Sequence, residues 1–378
     1  MPQSRKNPKI DILLPIKESF SAANAGAVAT VVNDIVLASK QTATISVLGR
    51  EVQTPFPNIN FFALKPKNKW LYGKNLGFAV AYLDRLLTHP SPDLIEVHGR
   101  CNVATYLFEK RPDIPIILFL HNDPRVMKGA KSIAERQHLL NSLVQIICVS
   151  DYVRNCFLDG LKIDKDQDKK VGVYSLGVKR KLKSPPLKEQ LIFIAGRMVP
   201  EKGILEASSA LAELLPRYPE WRLVIAGARR FRDATPDNYE AKVGKALAPL
   251  GKQAEMTGFI PLDVVRHWQE RAAIAACPSL WQEPLGKVVV ESLAAGCAVL
   301  TTRCGGIPEV AEGRALIIDH PSVSAFRDGF EILLKNENLR HDLQARAWND
   351  FPFTNTAMGH KVDQLRQNAL ATLHGHRS

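Results

Sequence analysis

Short runs that are apolar from end to end alternate with helix-length segments along nearly the whole chain. In the first half "KIDILLPI" precedes a helical pattern over 26–39. "ATISVLGR" and "NINFFALK" precede 75–88, "DLIEVHG" precedes 101–110, "IPIILFLHND" precedes 132–143, and "QIICVSD" precedes 152–158. A strand without a polar face must be covered on both sides. Helical crossovers between parallel strands provide that cover, so the pattern predicts a doubly wound α/β domain. The polar stretch "LKIDKDQDKK" and the following "VGVYSLGVKRKLKSPPLKEQ" read as a connection. The alternation then restarts with "LIFIAGRM", helix 204–215, "WRLVIAGA", helix 238–249, "AEMTGFI", helix 263–271, "AAIAACPSL", "AVLTT" and "ALIIDH". Two tandem α/β domains are expected, spanning 1–182 and 183–359, with a last helix over 360–378 packing back on the first.

A chain of 378 residues has material for two cores. No apolar stretch reaches the ~18 residues a membrane span needs. The opening "MPQSRKNPKIDILLPI" places Asp11 and Pro15 inside its apolar run and lacks a small-residue cleavage site, so it reads as a first strand and not a signal peptide. The six cysteines form no C-x-x-C pair, and most lie in apolar segments, which suits a reducing cytoplasm. The net charge of +12 is uneven: residues 1–180 hold 25 Lys+Arg against 16 Asp+Glu, a net +9, which leaves +3 for residues 181–378. A cationic first half attracts phosphates on nucleic acid, anionic lipid or acidic glycolipid, and charge alone does not choose among them.

Ligands of open parallel sheets bind at the carboxyl ends of the strands, so residues just after a strand carry the chemistry. After "LIFIAG" come Arg197 and Lys202, flanked by Gly196 and Gly203, two cations suited to a diphosphate. In "QEPLGKVVVE" Glu283 and Glu291 end an apolar run, which packing does not ask for. Three valines favour a strand, while the following "SLAAG" predicts a helix that stops at Gly296. Such a helix would present free N–H groups near Pro284–Gly286 to a phosphate. Glu291 would then reach ribose hydroxyls and Glu283 a sugar.

Glu283 and Glu291 form the E-x7-E motif of retaining glycosyltransferases of family GT4, and the second half resembles that family well beyond the two acids. "GRMVPEKG", "LVIAGA", "TGFIP", "CPSLWQEPLGKVVVESLAAGCAVLTTRCGGIPEV" and "FPFTNTA" follow in its order and spacing. The resemblance implies a GT-B fold, two Rossmann-like doubly wound domains facing across a cleft. It implies that Arg197 and Lys202 hold the diphosphate of a UDP- or GDP-linked sugar. The backbone at Leu285, Gly286 and Lys287 would approach the diphosphate or sugar, Glu291 would bind the ribose, and Glu283 would bind the transferred hexose. In the first domain it implies His121 of "FLHND" near the transferred sugar. Gly26 of "NAGAVA" falls in the loop that meets donor and acceptor, although Ala25 replaces the family's first glycine. Catalysis would rest on Glu283, His121, Arg197 and Lys202, with retention of configuration and without a metal or other cofactor. Asp164, Asp166 and Asp168 read as solvated surface rather than a metal site, and Asp151 as a helix cap with Ser150.

Glu96 and His98, also at a strand end, stand as candidates for the acceptor side and equally for structural roles. "KPKNKWLYGKNLGF" interleaves Lys65, Lys67, Lys69 and Lys74 with Trp70, Tyr72 and Phe78, which suits an anionic membrane surface or an exposed loop leading into a core helix. The acceptor expected from the resemblance is a glycan or glycolipid of the bacterial envelope, with lipopolysaccharide core foremost, and the place of work is the cytoplasm or the inner face of its membrane. The rival reading is a nucleotide-sugar-binding protein without transferase activity. A dinucleotide dehydrogenase is disfavoured because "LLPIKESFSAANAG" lacks G-x-G-x-x-G, and no basic-aromatic module for nucleic acid is present.

Overall fold

In the computed structural model, which describes residues 7–229 and 238–375, the apolar runs become two separate parallel sheets. The chain divides into two compact units, one formed by the residues up to Gly177 together with those from Asn355 onward, the other by Val178–Thr354. The first unit runs β1 (Ile10–Leu13), α1 (Ala27–Ala38), β2 (Ile45–Gly49), β3 (Asn60–Ala63), α2 (Lys69–Thr88), β4 (Leu94–His98), α3 (Cys101–Lys110), β5 (Ile116–Leu120), α4 (Ile133–Ser142), β6 (Gln145–Cys148), α5 (Asp151–Leu158), α6 (Lys165–Lys169) and β7 (Val171–Val173). Its strand order is β3-β2-β1-β4-β5-β6-β7. The second unit runs β8 (Glu189–Ala195), α7 (Ile204–Leu214), β9 (Arg222–Ala226), α8 (Asn238–Leu247), β10 (Ala254–Gly258), α9 (Leu262–Arg271), β11 (Ala272–Cys277), α10 (Lys287–Ala294), β12 (Ala298–Thr302), α11 (Ile307–Ala311), β13 (Ala315–Ile318), α12 (Val323–Lys335) and α13 (Glu337–Asn349). Its order is β10-β9-β8-β11-β12-β13.

Each sheet reverses its winding once, between β1 and β4 in the first and between β8 and β11 in the second. Connections leave such a switch point in opposite directions and open a crevice at the carboxyl ends of the two central strands. The strands there are apolar because both faces are covered: every residue of β4, β5 and β12 is buried. Around β8 and β11 the second core gathers Ile192, Ile194, Leu211, Leu223, Ile274, Leu300 and Phe330.

Several boundaries differ from the sequence expectation. "VGV", read as part of a connection, is the edge strand β7, paired in parallel with β6 through Ile146–Val171 to Cys148–Val173. The polar run before it holds α6, which Asp164 caps by accepting from the Asp166 and Gln167 N–H groups. Ser150 caps α5 at the Val153 N–H. The units part at 177/178 and 354/355 rather than after 182 and 359. The physical reason is that Val178 already bonds to the second unit, its N–H donating to Phe353 O at 2.9 Å, and Arg180 lies 3.9 Å above the Trp348 ring while donating to Ala294 O. Helices α12 and α13 went unread in the sequence.

The last helix, α14 (Asn355–Gly375), belongs to the first unit. It was expected over 360–378, of which 376–378 lie outside the described residues. Gly359 brings it against α1, where a β-carbon would collide with Ala38. Arg366 is fully buried and grips Glu96 with two bonds, Nε to Oε1 at 2.6 Å and Nη2 to Oε2 at 2.9 Å. Asp363 bonds the same guanidinium at 3.0 Å and accepts from Ser39 Oγ and the Lys40 N–H. Burial pushes the Glu96 carboxyl up, but the Arg366 charge and hydrogen bonds outweigh it and hold the group at about 2. Removing one partner of a buried pair strands the other charge, which costs about 3–5 kcal/mol. Arg366→Met is therefore expected to lower the urea-unfolding free energy by about that much at neutral pH. Because the folded-state carboxyl is depressed below its ordinary value of 4.5, the wild-type advantage is present above that pH and shrinks as pH falls toward 2. A constant difference across that window would refute the assignment.

Candidate active site

Two loops at the switch point of the second sheet bring together most of the residues expected there. The loop after β8 leaves through Gly196 and carries Arg197, which is exposed, and Lys202, which is half-buried. Gly203, at φ +64°, lies under Pro278 O, where a β-carbon would collide. That close approach joins this loop to the one after β11: the Leu280 N–H donates to Glu201 O at 2.9 Å. Lys202 Nζ consequently reaches Glu283 Oε1 and forms an ion pair with it. The same ammonium lies 5.8 Å from the centre of the Trp281 ring.

Glu283 is held by more than its charge. Ser279 Oγ donates to its Oε1 at 2.9 Å, and Thr302 at the end of β12 donates to Ser279 O at 2.7 Å. From the following loop the Gly306 N–H donates to Glu283 O at 2.7 Å, and the Gly305 N–H to Gln282 Oε1 at 2.6 Å. Gly305 adopts φ +62°, and a β-carbon there would strike the Glu283 backbone. Ser279, Thr302, Gln282 and the Gly305–Gly306 pair were missed as site residues. Their signal was positional, a polar residue just after β11 and another ending the adjacent β12, with a glycine pair in "RCGG".

The ambiguous run "KVVVES" is helical. α10 starts at Lys287 behind Gly286, whose φ of +95° favours glycine, and ends before Gly296 at φ +74°. Gly286 supplies no side-chain cap; its carbonyl takes the Val289 and Val290 N–H groups, and the Lys287 and Val288 N–H groups have no capping side chain. Val289, Val290 and Leu293 bury the apolar face, while Glu291 sits one turn after Lys287 with 3.6 Å between Nζ and Oε1. Leu285 turns its side chain into the core and leaves its backbone at the helix start.

In the first unit, His121 follows β5 and His98 ends β4. His98 Nδ1 and His121 Nε2 are 2.9 Å apart, and His121 Nδ1 lies 3.2 Å from the Tyr174 hydroxyl. Burial lowers both imidazoles below the ordinary value, His121 further, with the His98 ring adding to the effect. Glu96 is corrected: it is fully buried and both oxygens belong to Arg366, so it faces no acceptor. His98 is likewise buried beneath the surface, stacked on Phe119 at 4.4 Å and within hydrogen-bond distance of His121. Gly26 caps α1 in extended conformation, and Glu18, also missed, takes the helix start by accepting from the Ala29 N–H at 3.0 Å. A β-carbon at Gly26 would collide with that carboxylate.

Gly73, at φ +68°, breaks α2, and the turn before it leaves Trp70 87% exposed with Leu71 beside it. Lys69 and Lys74 are exposed there, whereas Lys67 pairs with Asp84 and Lys65 with Glu51. Phe78, expected on this patch, is buried in the core. Among the described residues no helix is long and apolar enough to cross a membrane.

Residues 178–350 match the family described as Glycosyl transferases group 1. The chain is 27% identical over 299 residues to the putative glycosyltransferase YtcC of Bacillus subtilis, covering 74% of this chain and 73% of that protein. It is 25% identical over 232 residues to the lipopolysaccharide 1,2-N-acetylglucosaminetransferase of Salmonella typhimurium, covering 59% and 58%. Among solved structures, HepE from Anabaena in complex with UDP and glucose superposes with a TM-score of 0.75 at 16% identity, over 96% of this chain and all of that one. That likeness establishes the fold.

The Ser279 hydroxyl bonds a carboxylate that is nearly buried, and a hydrogen bond to a charged group is worth about 1.5–3 kcal/mol. Ser279→Ala is expected to lower unfolding free energy by about 1.5 kcal/mol or more. An unchanged urea midpoint would show that Lys202 alone holds Glu283.

Proposed function

We propose, for a chain that belongs through residues 178–350 to the glycosyl transferases group 1 and carries the GT-B fold, that it moves a hexose from a nucleoside-diphosphate sugar to a hydroxyl of a glycan or glycolipid, with retention of configuration in the manner of family GT4. The grouping of Lys202, Ser279, Glu283 and the uncapped start of α10 at the switch point of the second sheet carries this reading.

In the proposed reaction, Arg197, Lys202 and the first-turn N–H groups of α10 take up the charge that grows on the leaving diphosphate as the glycosidic bond breaks. The departing phosphate oxygen takes the acceptor hydroxyl's proton, so the transfer needs no separate base and no metal. Glu291 accepts from ribose hydroxyls and Glu283 from the hexose. Lys202 sits on Glu283, and in the proposed reaction a bound phosphate shares the ammonium with that carboxylate. One Glu283 oxygen stays with Ser279 while the other turns to the sugar. The solved relative HepE holds UDP and glucose, which puts UDP-glucose first among donors to try, with GDP-sugars beside it. The Salmonella relative supports an envelope glycan such as lipopolysaccharide core as acceptor.

A thermal-shift panel of nucleotide sugars tests the donor. A ligand at 100 times its Kd stabilises by about 2.7 kcal/mol. One nucleotide-sugar class should raise Tm, and Arg197→Ala with Lys202→Ala should abolish the shift and slow transfer by about a hundredfold, while single turnover in excess EDTA keeps its rate. Undiminished transfer by the double variant would end this reading, and loss of rate in EDTA restored by magnesium would end the metal-independent step.

We further place the Trp70–Leu71 turn, with Lys69 and Lys74, on an anionic membrane face. Flotation with vesicles containing anionic lipid should be salt-sensitive and weakened by Trp70→Ala with Leu71→Ala. Equal recovery with neutral vesicles would remove the membrane from the account.

A further inference from the structure

We infer that Tyr174, His121 and His98 form a hydrogen-bond chain of one direction, set by the nearby charge of Glu96 that Arg366 anchors, and that this chain holds His121 as a neutral imidazole of fixed tautomer. Tyr174, His98 and Glu96 are then positioning residues for the first unit's expected sugar neighbour, and in that respect the inference rests on the proposed function. The links come from four places in the fold. Glu96 and His98 share one face of β4, two residues apart; His121 follows β5; Tyr174 follows β7, its N–H bonded to Cys148 O; and Arg366 arrives on α14.

The direction follows from the anchored end. Arg366 uses both Glu96 oxygens, and with Asp363 the buried cluster keeps one net negative charge. His98 Nε2 lies 3.9 Å from Glu96 Oε2 and has no hydrogen-bond partner among the described residues. A lone pair aimed at a carboxylate is repelled and an N–H is attracted, so His98 carries its proton on Nε2. Its Nδ1 is then an acceptor, and the nitrogen 2.9 Å away, His121 Nε2, must be the donor. That leaves His121 Nδ1 bare to accept from the Tyr174 hydroxyl at 3.2 Å. Burial, with Cys148 and Glu96 nearby, raises the Tyr174 phenol, so it keeps its proton and donates. The ionisable groups around the pair are Glu96 on β4, Cys148 on β6, Tyr174 after β7 and Arg366 on α14. Neither of the two bonds at His121 can reverse without reversing the other.

Both ring nitrogens of His121 are therefore committed, and the residue is not a proton donor or acceptor toward a ligand. It meets one through its carbon edges and face. Retaining transfer builds positive charge on the sugar ring, which an imidazolium beside it would oppose. A neutral ring that donates to His98, itself beside the Glu96 carboxylate, gains electron density instead, because successive hydrogen bonds polarise one another.

The test is 15N-edited NMR of the ligand-free full chain with labelled histidine rings, followed by kinetics. Expected in the wild type are Nε2 protonated and Nδ1 bare in both His98 and His121, with no imidazolium at pH values near 6.5, where an ordinary histidine is half charged. Glu96→Gln, whose amide can offer either a carbonyl or an NH2 to His98, should mix the His121 tautomers and lower kcat about tenfold or more, leaving donor KM within about twofold. Tyr174→Phe keeps the packing and the Arg366 pair, and should let a proton onto His121 Nδ1. The inference is overturned by Nδ1-protonated or charged rings in the wild type, or by a His121 spectrum and kcat that neither variant moves. Expected tautomers in a protein that transfers no sugar would sink the functional reading and leave the chain of bonds standing.

Discussion

The buried pair between Arg366 and Glu96 is the constraint on which the first unit depends. A guanidinium and a carboxylate out of water lose their hydration, and only their geometry and the extra bonds from Asp363, Ser39 and Lys40 repay it. The pair ties the last helix of the chain to the fourth strand of its first sheet, nearly three hundred residues earlier. Closing so long a loop is slow in folding but specific once made. It also fixes a carboxylate beneath the carboxyl edge of that sheet, where the histidines begin.

Much of the second unit was legible because its signals are local. The strands β8, β9, β11 and β12 are apolar runs, and Gly203, Gly286 and Gly296 mark places where the backbone turns to positive φ. The paired residues Lys202 and Glu283 were also legible, though only as neighbours of strands. Their contact depends on Leu280 bonding to Glu201 O across two loops, and no spacing in the sequence encodes that. The helical state of "KVVVES" was decided against local propensity by what it packs on: Val289, Val290 and Leu293 are buried, and a strand would have sent alternate valines to water.

What the sequence hid is long-range. Glu96 at a strand end read equally as a residue that faces ligand and as a structural one, and only the arrival of Arg366 from α14 decides for structure. "VGV" looked like linker because three residues carry little periodicity, yet β6 needed an edge partner. Phe78 shared a stretch with Trp70, but Gly73 breaks the helix between them, leaving one exposed and burying the other. Glu18 had no motif at all; it was reached only through the close approach that Gly26 permits.

The second unit's switch point is electrically compensated within the chain: Lys202 sits on Glu283, and Lys287 lies near Glu291. Lone carboxylates this well buried would cost more to keep than paired ones. Each lysine therefore neutralises its acid, and under the proposed function a diphosphate at the start of α10 would compete for the same ammonium groups. A neutral sugar alone offers the lysines no substitute for their carboxylates, and an anion without hydroxyls offers the carboxylates none for their lysines. Under the proposed function, a ligand that carries both would satisfy all four side chains together, which is the physical argument for comparing a nucleoside-diphosphate sugar with each of its halves.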